Sequence, residues 1–247
     1  MNAARREAEV DALFLSPHPD DVELFCGGTV ARLVEAGCEV AIVDLTRGEM
    51  SSNGTVEERR EASLRAAEIL GVKREREVLG LPDGGVNEHD GEQLRALVEL
   101  LRALRPRLLF APHGVDRHPD HAAAGSLARR AMFFAGVRRF EARGKVHRPR
   151  LLAAYPCHTL VPVSFTLDVG SVMEARRAAI AAYHSQFQAG PDSTATYINR
   201  PGFLEAREAR LREWGLASGV EFAEGFVLDE ALPLSDPRAL LLPEDAR

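Results

Sequence analysis

Short apolar runs alternate with amphipathic helical patterns through the first half of this chain, and that alternation restricts the fold more than any other feature. Residues 11–16, 40–45, 78–81 and 108–111 read as strands, and the stretches between them place apolar side chains at helical spacing. Strands that are apolar on both faces and joined by helix-length connections pair in parallel, because the crossover helix packs back on the sheet. The fold class expected is α/β, a Rossmann-like and mostly parallel sheet flanked by helices, with a mixed C-terminal part. At 247 residues the chain is long enough for one large core, so residues 1–247 are expected to form a single domain.

Local signals mark the elements. A helix is expected over 25–36, stopped by Gly37, which tolerates left-handed geometry. Thr55 stands three residues before Glu58, a capping-box start for a helix that runs to Leu70 before Gly71. Further helices are expected over 93–104 and 122–132. The C-terminal part reads as apolar runs at 151–155 and 165–169, helices over 172–187 and 203–214, and a last strand over 222–228. A loop holding Gly190-Pro191-Asp192 separates the two helices.

Charge and cysteine usage narrow the partners. A net charge of −6 gives no general attraction to polyanions, so neither nucleic acid nor an acidic membrane surface is expected to bind. The basic residues Arg129, Arg130, Arg138, Arg139, Arg143, Lys145, Arg148 and Arg150 are read chiefly as a solvated face. Three cysteines, Cys26, Cys38 and Cys157, lack Cys-x-x-Cys spacing and suit small buried hydrophobes in a reducing compartment. Residues 1–10 have no apolar core of a secretory signal, and 151–163 are too short and too interrupted for a membrane span. A cytoplasmic location is expected.

Chemistry gathers at two strand ends. Ser16-Pro17-His18-Pro19-Asp20-Asp21-Val22-Glu23 follows the first apolar run, and His118-Pro119-Asp120-His121 follows the run at 108–111. In open parallel sheets the ligand site lies beyond the carboxyl ends of the strands, so the two segments can meet. His18, Asp21 and His121 would supply two nitrogens and one oxygen to a divalent ion, leaving a coordination position open for water. Such an ion lowers the pKa of water from about 15.7 to roughly 7. Asp20 can then act as general base, and His118 can stabilise the tetrahedral intermediate, which makes amide hydrolysis the expected reaction.

Either motif alone is weak, because a histidine at a strand end is more often a cap or surface residue; the pair at matching strand ends carries the inference. Glu23 either orients a ligand or pairs with an arginine, Arg59 reads first as an ion-pair partner of neighbouring glutamates, and Arg117 either bridges to Asp116 or grips a substrate carboxylate. Two histidines and a carboxylate also describe ferrous oxygenases, but the parallel α/β pattern and the adjacent Asp20 favour hydrolysis. A metal- or sugar-binding protein without turnover is the non-enzymatic alternative. Gly27-Gly28 is not part of a Gly-x-Gly-x-x-Gly dinucleotide motif.

At these residues the sequence resembles the LmbE-like, PIG-L-type metal-dependent N-acetylglucosamine deacetylases. The resemblance rests on residues 17–23, on Leu45-Thr46-Arg47-Gly48-Glu49 with residues 51–57, and on Phe110-Ala111-Pro112 leading to residues 116–121. Tyr183-His184-Ser185-Gln186-Phe187 and residues 219–226 are similar to the bacillithiol-biosynthesis branch, which acts on N-acetylglucosaminyl-malate. The resemblance implies Zn2+, or Fe2+ in some conditions, on His18, Asp21 and His121, with Asp20 as base and His118 at the transition state. It further implies that Arg59 reaches the substrate, that Arg117 and Arg47 suit malate carboxylates, and that the chain forms a homo-oligomer, in close relatives a hexamer. A broader, chitobiose-like N-acetyl-sugar deacetylase is the alternative. Relatives often carry Tyr where this chain has Phe203, and His113 is a candidate replacement for its hydroxyl.

Overall fold

A computed structural model describes residues 9–188 and 193–232. Its main sheet is parallel throughout, in the order β3-β2-β1-β4-β5. The strands are β1 Ala12–Ser16, β2 Val40–Asp44, β3 Glu77–Val78, β4 Leu108–Pro112 and β5 Leu151–Tyr155. Four helices connect them: α1 Asp21–Glu35, α2 Val56–Ile69, α3 Gly91–Leu104 and α4 Pro119–Ala135. This is the expected α/β class, with the mixed part formed by β6 Phe165–Asp168, α5 Met173–Ala181, α6 His184–Phe187, α7 Phe203–Ser218 and β7 Ala223–Phe226.

The alternation of side chains along each strand divides the core in two. Phe14, Ile42, Phe110 and Tyr155 face one layer with α1, α2 and α5, where the Phe14 and Phe110 rings stack with centroids 4.3 Å apart. Leu13, Leu15, Val43, Leu109 and Ala154 face the other, against the leucines of α3 and the alanines of α4. Burial on both faces explains why these strands read as unbroken apolar runs. β6 and β7 pair antiparallel, and a bridge between Ala154 and Val227 ties the end of β7 to β5.

Several boundaries differ from the sequence reading, each for a tertiary reason. α1 begins at Asp21 rather than 25, and its geometry is broken at Cys26 (φ −150°, ψ 21°). The strand expected over 78–81 forms only as Glu77–Val78, although Leu79 and Leu81 still donate to the carbonyls of Asp44, the last residue of β2, and Leu45, just beyond it (2.8 Å each). The single helix expected over 172–187 is two, interrupted at Tyr183 (φ −90°, ψ 48°), whose buried hydroxyl donates to Glu23 (3.2 Å). Thr55 and Glu58 form the expected capping box. The basic stretch is partly tied down, with Arg143 on Glu99 (2.7 Å), Arg129 on Asp229 and Arg148 over the Phe133 ring. The Gly190 loop lies outside the described residues. Among the described residues no helix is long and apolar enough to cross a membrane.

Because β1 and β4 are hydrogen-bonded neighbours, Phe14 in register with Phe110, the segments that leave their carboxyl ends emerge side by side. β2 departs to one side of β1 and β5 lies on the far side of β4, so this is the switch point of the sheet, where open α/β folds bind ligands.

Candidate active site

The loop after β1 turns sharply into α1. Ser16 Oγ donates to the His18 carbonyl (2.7 Å) and accepts from Val22 N–H (3.3 Å), which holds the two prolines and His18 in a tight arc. Asp20 sits at the N-cap with φ 120°, a left-handed value rarely adopted by a residue with a Cβ. That twist separates the neighbouring carboxylates. Asp20 Oδ2 accepts from Arg59 Nη2 (3.0 Å), while Asp21 turns to the histidines.

Asp21 lies between the two motifs. Its Oδ2 is 3.1 Å from His18 Nδ1 and its Oδ1 is 3.2 Å from His121 Nε2. Ligands held 2.0–2.1 Å from a tetrahedral ion stand about 3.3 Å apart, so each pairing of Asp21 with an imidazole has the spacing of two ligands on one divalent cation, and ring nitrogens of His18, His118 and His121 converge within 4.8 Å of one another. Each imidazole has carboxylates behind it, although His121 Nδ1 makes no hydrogen bond among the described residues. His18 Nε2 faces Asp83 (3.1 Å) and Asp120 (3.2 Å), and His121 Nδ1 faces Asp116 (3.3 Å). Carboxylates in these outer positions fix the ring and raise its basicity as a ligand.

The electrostatics point the same way. Burial alone would lower the pKa of His18, but its contacts with Asp120, Asp21 and Asp83 outweigh that and hold it well above the ordinary value. Burial is likewise outweighed at His121, chiefly by the charge of Asp21. Asp21 itself lies well below the carboxylate range, because the two histidines overcome its burial. The carboxylates of Asp21, Asp83, Asp116 and Asp120 crowd these two imidazoles, an excess of negative charge that a cation can offset.

Asp20 behaves in the opposite sense. Burial pushes its pKa up to about 7 against the opposing charge of Arg59. His118 caps α4, its Nδ1 accepting from Asp120 N–H (3.3 Å). Burial and then the charge of His121 lower its pKa, and with Nδ1 accepting, the ring carries its proton on Nε2. The three rings of His18, His118 and His121 lie with centroids 4.7–5.4 Å apart.

These groups line a cavity of about 420 Å3 together with Met50, Ser51, Asn53, Gln186, Phe187 and Ile198. That volume falls within the ~300–1,000 Å3 of small-molecule sites. Arg59 is buried in its wall rather than paired with neighbouring glutamates, and Gly48, at φ 69°, passes so close that a Cβ there would collide with the guanidinium. Arg117 and Arg47 are exposed and stand outside the lining. Asp116 and Arg117 do not bridge; Asp116 accepts from the backbone of His118, His158 and Thr159, and Arg117 lies 4.1 Å above the Tyr197 ring. Glu23 pairs with Arg76. His113 accepts from Val115 N–H and is not in the lining, and Phe203 packs beside His158 and Tyr197.

Three participants escaped the sequence reading: Asp83, Asp120 and His158. Asp83 belongs to a Pro-Asp-Gly-Gly segment that signals a turn, and Asp120 stands between the two histidines that carry the motif. His158 follows the β5 run as His18 follows β1, so the same strand-end signal marks it. Its pKa is lowered to about 4 by burial and then by His121, so it is neutral.

A parallel sheet with imidazoles and carboxylates converging at its switch point defines a Rossmann-like protein with a candidate metal-binding pocket at that rim. Comparison with known proteins gives the family. The family model described as PIG-L, GlcNAc-PI de-N-acetylase, matches residues 13–132. Diacetylchitobiose deacetylase of Thermococcus kodakarensis is 32% identical over 195 residues, covering 71% of this chain and 69% of the relative. A 1D-myo-inositol 2-acetamido-2-deoxy-alpha-D-glucopyranoside deacetylase of Rhodococcus opacus is 26% identical, covering 84% of this chain and 97% of the relative. The crystal structure of a conserved protein of Thermus thermophilus superposes with a TM-score of 0.83 at 43% identity, covering 92% of this chain and 98% of that one. The chain belongs to the PIG-L, LmbE-like deacetylase family.

Proposed function

We propose that this protein is a metal-dependent deacetylase that removes the acetyl group from an N-acetylglucosamine conjugate, with His18, Asp21 and His121 holding the ion. The observation that carries the reading is the Asp21 carboxylate set 3.1 and 3.2 Å from the two imidazoles, beside an Asp20 that faces elsewhere. Zinc suits two nitrogens and one oxygen, and ferrous iron accepts the same donors. When bound, the ion supplies Lewis acidity, polarising the amide carbonyl and making water acidic near neutral pH.

The chain's own groups do the rest. Asp20 Oδ2 is engaged by Arg59, so Oδ1 is the atom that takes the proton from the attacking water and returns it to the leaving amine. A base with a pKa near the working pH performs both transfers. His118 presents Nε2–H to the oxyanion that develops on the acetyl carbonyl. Arg59 holds Asp20 in place and walls the cavity, and Asp83 offers an acceptor there.

The finer reading is N-acetylglucosaminyl-malate as substrate. It is supported by the tail motifs at residues 183–187 and 219–226; Arg117 and Arg47, exposed and outside the cavity lining, add no weight to it. The 32% identity to a chitobiose enzyme favours the broader alternative. Incubating metal-loaded protein with malate, inositol and chitobiose conjugates of N-acetylglucosamine, and quantifying free amine and acetate, separates them. Preference for malate is expected; equal turnover of all three removes the malate assignment, and no turnover of any leaves a binding protein.

A further inference from the structure

The break in α1 is filled by a buried ion pair. In an unbroken helix the Leu24 carbonyl accepts from the Gly28 N–H. At the Cys26 break, Leu24 O accepts from Arg176 Nη2 (2.6 Å), Gly28 N–H donates to Glu224 Oε1 (2.9 Å), and Arg176 Nε donates to that same oxygen (3.2 Å). The carboxylate also accepts from Thr29 N–H and Thr29 Oγ1 through Oε2 (2.7 Å each). Glu224, carried on β7, therefore acts as the N-cap of the longer segment of α1, and Arg176, carried on α5, caps the carbonyl end of its first turn. Gly28 makes room: a Cβ there would stand 2.7 Å from Val169 Cβ and 3.0 Å from Glu224 Oε1.

That arrangement is costly for mere packing. Glu224 is 0% and Arg176 2% exposed, and an ion pair so buried does not recover its desolvation better than apolar side chains of similar volume filling the same space. What the break achieves is to free one turn, residues 21–25, from the axis of the rest of the helix. A single turn does not hold its own geometry. Its amino end is tied to Ser16 and His18 (Val22 N–H to Ser16 Oγ, 3.3 Å; Asp21 N–H to His18 O, 3.3 Å), and its carboxyl end is tied to Arg176. The residue that opens this turn is Asp21.

We propose that Glu224 and Arg176 are positioning residues that set the angle of the first turn of α1 and so hold the Asp21 carboxylate between His18 and His121. The inference rests on the reading of Asp21 as a metal ligand. It gives a task to the tail motif around residues 219–226, which contributes no residue to the lining of the cavity. It also links the small antiparallel sheet to the metal pocket.

Two mild substitutions test it. Glu224→Gln retains an oxygen for the Gly28 N–H but loses the charge opposite Arg176, and Thr29→Val removes one hydrogen bond to the carboxylate at nearly constant volume. Each is compared with the parent by Co2+ affinity in chelator competition, by the visible absorption of the Co2+ form, by kcat and KM, and by thermal unfolding. The expected result for Glu224→Gln is Co2+ bound about tenfold more weakly with altered visible bands, as for loss of an outer partner of a metal ligand. Its kcat should fall while KM stays within about twofold. Thr29→Val should move the same readouts less far, and it decides the matter if Glu224→Gln does not fold. If the parent binds Co2+ but both variants keep its affinity and spectrum and lose only thermal stability, the pair is structural and the proposal is wrong. If the parent binds no Co2+, the ligand assignment fails and takes this proposal with it.

Discussion

Asp20 and Asp21 are adjacent in sequence and opposite in chemistry, and the backbone explains how. The φ of 120° at Asp20 sends its side chain toward Arg59 while Asp21 enters the helix facing the imidazoles. Asp20→Asn should retain metal binding and lower kcat by about 10²–10⁴, the usual contribution of a positioned base; an unchanged kcat would remove Asp20 from the reaction. Its titration has a stated sign. Asp20 must be ionised to accept a proton, so kcat/KM should fall as pH drops through its pKa, near 7 from burial, and a cation bound nearby moves that limb lower. Arg59 opposes the effect of burial, so Arg59→Met should shift the acid limb to higher pH in a pH–rate profile; no shift, or one downward, would contradict the pairing. At this scale the sequence displayed the reacting groups because they follow apolar runs directly. Their outer partners were harder to see. Asp83 and Asp120 orient His18 from a turn and from inside a motif already assigned to its histidines, and nothing local marks a carboxylate as the second neighbour of a ring a hundred residues away.

Elements whose signals are local were legible, and those set by distant contacts were not. Thr55 and Glu58 cap α2 through their own side chains, so two residues sufficed to place that start. The interruption at Tyr183 depends on a hydroxyl reaching Glu23, and the break in α1 depends on Arg176 and Glu224, from two elements far along the chain. Arg76 is the extreme case. It lies in a charged run, residues 73–77, yet it is 1% exposed, bonded to Asp44 through Nε (2.9 Å) and Nη2 (2.6 Å) and paired with Glu23. This buried triad fastens the end of β2 to the first turn of α1. Removing its cation leaves two buried carboxylates uncompensated, so Arg76→Met should destabilise the protein by about 3–5 kcal/mol in urea unfolding. A change below about 1 kcal/mol, typical of exposed pairs, would show that water reaches the triad.

Over the whole molecule, the parallel pairing of β1 with β4 brings residues 18–21 and 118–121 to one rim, and this was readable because strand order follows from a few topological rules. The placement of β6, β7 and α7 over the α1 face follows from no such rule. An ion that binds only the folded chain adds stability by mass action, about 2.7 kcal/mol at a free concentration one hundred times Kd. Zinc should therefore raise the thermal midpoint of the parent and leave that of Asp21→Asn nearly unmoved. Because His18 and His121 must lose their protons to bind the ion, and their carboxylate partners favour the protonated form, the shift should shrink as pH falls. A shift equal in both proteins, or growing toward acid, would place the ion elsewhere. The most direct test of the account is to strip the protein with a chelator, titrate zinc back, and record free amine released from an N-acetylglucosamine conjugate against equivalents added. Activity that vanishes on stripping, returns linearly and saturates at one ion per chain is the predicted result; turnover that survives stripping would contradict it.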